Sequence, residues 1–138
     1  MELSYLITPF LAWFVAGALK FLVNSIRAKM LAFTQIGYGG FPSNHSSIVA
    51  SMVTLIALKE GISSPAFGAA LTLAFVVMLD ATSLRKQIGK QAVVLNHLAS
   101  LSSCKVRLRE RMGHTSVEIV AGTAVGVGVA IAMYLWGS

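Results

Sequence analysis

A few histidine, carboxylate and cationic side chains interrupt an otherwise apolar chain, and their types and spacing suit phosphoryl chemistry. His114 and Glu118 stand four residues apart, which on a helix puts them on one face. A carboxylate bonded to one imidazole nitrogen fixes the tautomer and leaves the other nitrogen as a nucleophile or base. Such a pair in isolation reads as a polar surface contact. Here Gly113 precedes it, an apolar stretch follows it, and a second histidine, His45, opens another helix. The run Gly37-Tyr38-Gly39-Gly40-Phe41-Pro42-Ser43-Asn44-His45-Ser46-Ser47 surrounds that histidine. Its glycines allow close backbone approach, and Pro42 fixes the chain just ahead of a helix whose free N–H groups and positive dipole end attract an anion. Ser43 and Ser46 add hydroxyl donors, and His45 adds a proton donor. On its own the run is a capped turn; beside Lys20 and Arg85 it is expected to form an oxyanion cradle.

The elements that must position these groups are membrane spans. Of 138 residues, 56% are hydrophobic and 12% charged, with a mean hydropathy of +0.76. A soluble domain carries about a quarter charged residues, so a water-soluble globule is excluded, and so is a disordered chain. The single cysteine, Cys104, excludes an internal disulfide framework and a multi-cysteine metal site. Four uncharged segments can cross a bilayer: Leu3–Leu19, Met30–Leu58 with its apolar part at Ile48–Leu58, Gly61–Leu79 and Ile119–Ser138. The first has Glu2 in place of a basic start and no small-residue cleavage site, so it is read as a retained helix. Between the second and third, Gly61 can end a helix in the left-handed conformation, Ser64 can cap the next one and Pro65 fits its first turn. The polar connection 83–113 is expected to hold an amphipathic interfacial helix near Gln87–Leu101. Gly122 and Gly126 form a small-xxx-small pair suited to close helix packing. The expected fold is all-α: one domain over 1–138, a polytopic membrane bundle of about four spans plus the interfacial helix.

Following these spans from side to side brings distant polar residues to one face. That face holds Lys20, Arg27, Lys29, Arg85, Lys86, Lys90, Lys105, Arg107, Arg109 and Arg111, ten of the 11 basic residues; Lys59 lies on the other. The positive-inside rule puts the basic face in the cytoplasm and both termini outside. Excess positive charge in so apolar a chain reports orientation rather than nucleic-acid binding. Lys20, Pro42, Ser43, His45, Ser46, Asp80, Arg85, His114 and Glu118 all fall at that face, where ionisable groups are functional candidates by default.

Three stretches carry a family resemblance: GGFPSNHSS at 39–47, DATSLRKQIGKQAVVLN at 80–96 and GHTSVEIVAG at 113–122. The first resembles the signature of the type 2 phosphatidic acid phosphatase and vanadium haloperoxidase superfamily. Jointly the three are similar to its small membrane branch, the acid phosphatase/vanadium-dependent haloperoxidase-related family. The resemblance implies a phosphatase with a phosphohistidine intermediate and neither metal nor cofactor. On that basis His114 is the nucleophile, Glu118 its orienting acid and His45 the group that protonates the leaving oxygen. Lys20, Arg85, Ser43, Gly40 and Asn44 hold the phosphoryl oxygens, and Asp80, Ser46 and Gln91 support them. Two departures stand out. Ala28 occupies a position where the superfamily has proline, and Leu108 one where it has arginine; Arg85 takes the missing arginine's role, with Arg109 and Arg111 as reserves.

Other residues have simpler readings. Asp80 is expected to pair with Lys20 or Arg85 and position it, since an unpaired charge there is costly. Gln91 and Asn96 suit the polar face of the interfacial helix equally well, His97 is a surface histidine, and Arg107, Arg109 and Arg111 suit anionic headgroups. Trp13, Tyr134 and Trp136 are interfacial anchors or core. The expectation is an integral membrane lipid phosphatase of a bacterial plasma membrane, facing the cytoplasm, with a phosphorylated lipid and the bilayer as partners. Phosphatidylglycerophosphate leads as substrate, ahead of a polyprenyl diphosphate and phosphatidate. A non-catalytic anionic-lipid-binding protein competes, and a bundle this small leaves a homodimer open.

Overall fold

The computed structural model describes residues 3–28, 40–102 and 107–137, with the side chains of residues 27 and 28 excepted. Lys29, Gly37, Tyr38, Gly39, Cys104, Lys105 and Ser138 lie outside the described residues, as do the side chains of Arg27 and Ala28. All regular structure among the described residues is helical: α1 Leu3–Ala28, α2 Asn44–Glu60, α3 Pro65–Leu79, a π-turn Asp80–Leu84, α4 Arg85–Ser100 and α5 Ser116–Gly137.

The α2–α3 hairpin follows from its capping residues. Ser43 caps α2 by accepting from the Ser46 N–H at 3.3 Å, and Ser64 caps α3 by accepting from the Phe67 N–H at 3.1 Å, with Pro65 in the first turn. Gly61 ends α2 and donates its N–H to Ala57 O at 3.1 Å. Its φ of +85° is positive as expected, but its ψ of 159° is extended rather than left-handed helical, and the chain then closes a tight turn in which the Ser64 N–H donates to Gly61 O at 3.3 Å.

α2 occupies the middle of the bundle, packed by α1, α3 and α5. The α2–α5 contact is the closest, and the glycine pair explains it. A Cβ at Gly122 would collide with Ser43 O, and one at Gly126 with Ser47 O. Ser47 Oγ then donates to Gly122 O at 2.7 Å, and the Ser43 N–H donates to Glu118 O at 2.9 Å. Without side chains on that face of α5, two helices meet backbone to backbone and hydroxyls bridge them.

Apart from Leu55, Ile56 and Val49, the interior is built mainly of small and hydroxyl side chains, while the outside is large and apolar. Thr8, Ala12, Ala16, Ser46, Ser47 and Ser51 are buried, whereas Leu6, Phe10, Phe14, Phe75, Val120 and Leu135 are exposed. That arrangement suits hydrocarbon, where hydroxyls must be satisfied within the protein. Three stretches, Leu3–Ile26, Pro65–Ser100 and Ser116–Gly137, are long and apolar enough to cross a membrane. α2, with 17 residues, falls just short of that length; at 1.5 Å per residue it is about 25 Å long and is shielded by its neighbours. The expected interfacial helix is present as α4 but does not stand apart. The π-turn joins it to α3, so residues 65–100 form one helical rod.

Candidate functional site

His114 is brought to the site by backbone. In the π-turn the Arg85 N–H reaches back five residues to Asp80 O. That step takes it away from Ala81 O, its α-helical partner, and Ala81 O accepts the His114 N–H at 2.9 Å instead. Gly113 makes the approach feasible. Its φ is +87°, and a Cβ there would lie 2.8 Å from Lys86 Cγ. Further along α4, the Asn96 amide holds both backbone groups of Leu108: Oδ1 accepts from the Leu108 N–H at 2.7 Å, and Nδ2 donates to Leu108 O at 2.8 Å. Gly89 lets Glu110 lie against the helix. α4 thus splints the segment 107–113 that ends in His114.

Glu118 has two tasks. Its Oε2 lies 3.0 Å from His114 Nδ1 and also accepts the Thr115 N–H at 3.0 Å. Thr115 Oγ1 in return accepts the Glu118 N–H at 3.3 Å, which completes a capping box at the start of α5. The same carboxylate that starts the helix therefore fixes the imidazole and leaves Nε2 as the free ring nitrogen of His114.

His45, in the first turn of α2, faces this group. The two imidazole centroids are 6.3 Å apart, with their planes tilted by 56°. Arg85 Nη2 lies 3.4 Å from His45 Nε2; a guanidinium only donates, so that nitrogen accepts. Arg85 Nε is held by Asp80 Oδ2 at 3.1 Å, so Asp80 pairs with Arg85 across the π-turn rather than with Lys20. His45, His114, Lys20 and Arg85 line one cleft of about 230 Å³ together with Asn44 and Arg109. Trp13, Ile48, Met112 and Gly113 complete its wall. Arg109 thus faces the same space as Arg85, and two arginines and a lysine from three elements converge on it. Three cations around two imidazoles suit a tetrahedral oxyanion. Among the described residues, no three His, Cys, Asp or Glu side chains come together as metal ligands.

The other candidates lie outside the cleft lining. Ser43 is fully buried, and its Oγ accepts from both the Ser46 N–H and the Ser46 hydroxyl, the latter at 3.0 Å. Both serines are engaged in capping α2. Gly40 lies against Asn24 of α1, and Gln91 is exposed on α4. Three features escaped sequence reasoning. The capping box was visible as Thr115-Ser116-Val117-Glu118, while the Asn96 clamp and the π-turn carried no local signal.

The Divergent PAP2 family matches residues 1–129. "Uncharacterized membrane protein YuiD" of Bacillus subtilis (strain 168) is 28% identical over 139 aligned positions, which cover 88% of each chain. No solved structure matches. With its apolar helices and its membrane-protein relative, the chain is an integral membrane protein. The match spans every residue that lines the cleft, and the chain belongs to the Divergent PAP2 family.

Proposed function

We propose that this protein is a metal-independent lipid phosphatase that works through a phosphohistidine. The observation that carries the reading is the pair of imidazoles 6.3 Å apart on one cleft, one of them bonded to Glu118 and the other beside Arg85. Lys20, Arg85 and Arg109 neutralise the phosphoryl oxygens. His114 Nε2 attacks phosphorus, a P–N bond forms, and the P–O bond to the alcohol breaks. Glu118 stabilises the positive charge that develops on the ring. When the phosphoryl group draws Arg85 toward itself, His45 Nε2 is released to carry a proton and delivers it to the leaving oxygen. Water then attacks the phosphohistidine and gives its proton to His45, the P–N bond breaks, and inorganic phosphate departs.

The substrate that fits best is a lipid phosphate monoester, with phosphatidylglycerophosphate ahead of a polyprenyl diphosphate and phosphatidate. The basic face would lie at the cytoplasmic leaflet of a bacterial plasma membrane. A non-catalytic anionic-lipid binder is favoured by one observation, the exposed Lys86, Lys90, Arg107 and Arg111 beside the cleft. The discriminating experiment is phosphate release from a panel of phosphorylated lipids by detergent-purified protein with chelator present. The wild type is expected to release phosphate from at least one headgroup, and His114→Ala to lose at least about 10³-fold. Equal release by both proteins would eliminate the histidine mechanism, and loss of activity in chelator would eliminate the metal-free one.

A further inference from the structure

The cleft changes character with depth. Its charged groups come from Lys20 in the C-terminal half of α1, the starts of α2 and α4, and the segment 109–114 that leads into α5. Trp13 lies seven residues before Lys20 on α1, about 10 Å along the helix toward the middle of its apolar span. Ile48 lies one turn beyond Asn44 on α2, in the same direction. Both line the same cleft as His45 and His114, and Trp13 remains 54% exposed inside an apolar span. α1 and α3 each pack on α2 but make no extended contact with one another among the described residues. Through Trp13 the apolar end of the cleft reaches the lipid-facing surface of α1.

The size of the space points the same way. At about 230 Å³ the cleft is smaller than the about 300–1,000 Å³ pockets that enclose drug-sized ligands. It holds a phosphorylated headgroup, and anything longer must leave it. A phosphate dissolved in water needs only the charged end; the indole and Ile48 have a use when an apolar chain follows the phosphate.

We infer that the substrate enters side-on from the bilayer, with its hydrocarbon chain leaving the cleft across Trp13 and Ile48, and that Trp13 is a specificity-determining residue for that chain. This rests on the phosphatase reading for the phosphate end only.

The test uses full-length His114→Ala protein in detergent and phosphatidate bearing a photoactivatable diazirine midway along one acyl chain. Irradiation is expected to label the α1 segment around Trp13, and phosphatidate is expected to compete at least about tenfold better than diacylglycerol, which lacks the charge-assisted contacts. Labelling elsewhere, no labelling, or equal competition by diacylglycerol overturns the inference. A second measurement compares turnover of one headgroup carrying 18-carbon or 6-carbon chains. Trp13→Ala is expected to reduce kcat/KM for the long chain about tenfold more than for the short one, and an equal reduction overturns the assignment. Labelling at Trp13 without phosphate release would keep the chain path and remove the hydrolase; release without labelling would do the reverse.

Discussion

The two ends of α2 both carry ionisable groups, and they use them in opposite ways. At its C-terminal end Lys59 Nζ donates to Ser4 Oγ at 2.7 Å and sits 5.1 Å from the centre of the Tyr5 ring. Charge there closes on the neighbouring helix and acts as a clasp. At the N-terminal end the cations turn toward a shared cleft, and His45 Nδ1 is buried with no hydrogen-bond partner. Polar groups inside a bundle are ordinarily satisfied. One end follows that rule; the other leaves hydrogen-bonding capacity unused around a space of phosphate-bearing size.

Breaking each end separately tests the contrast. The largest effect is expected for His45→Ala, which should lower release from lipid phosphates by about 10²–10⁴-fold. The loss should be much smaller with p-nitrophenyl phosphate, whose leaving group needs no protonation; equal losses on both would remove His45 as the acid. Asp80→Asn frees Arg85 from its anchor and should reduce kcat/KM by about 10–100-fold, with the thermal midpoint in detergent little changed. Gly122→Leu attacks the α2–α5 seam on which both histidines depend. It should destabilise the fold by about 1–3 kcal/mol, read from thermal unfolding, and reduce activity along with folded protein. The smallest effect belongs to the clasp. Lys59→Ala should lower stability by about 1 kcal/mol or less and leave turnover within about twofold of wild type, as expected of a group remote from the chemistry. A large catalytic loss there would mean the two ends are coupled.

Much of this layout was legible because its determinants are local. Ser64-Pro65 and Gly61 announce a hairpin, four residues between His114 and Glu118 announce a shared face, and Gly122 with Gly126 announces a close helix contact. What escaped depends on partners remote in the chain or on hydrogen-bond choices that residue types do not encode. Ser43 offers a hydroxyl that could meet a phosphate or cap a helix, and only the fold shows the cap. The choice between Arg85 and Arg109 had no local answer, since the Asn96 clamp twelve residues from Leu108 sets the path of the second. Nothing in Asp80-Ala81-Thr82-Ser83-Leu84 marks a π-turn, because the bond from Arg85 to Asp80 competes with an equally available α-helical one.

That single wide turn has an effect on how the rod must be decoded. Each residue of an α-helix advances about 100° around the axis, and one extra residue in a turn shifts everything after it by about that angle. The stripe that faces acyl chains along 65–79 therefore does not continue along 85–100, and a wheel drawn through both halves would assign the second half to the wrong neighbours. Removing one residue between 81 and 84 would therefore not rotate the rod: the bond from the Arg85 N–H to Asp80 O would become an ordinary α-helical one, Arg85 would keep its place at the cleft, and the spare carbonyl that holds the His114 N–H would be lost.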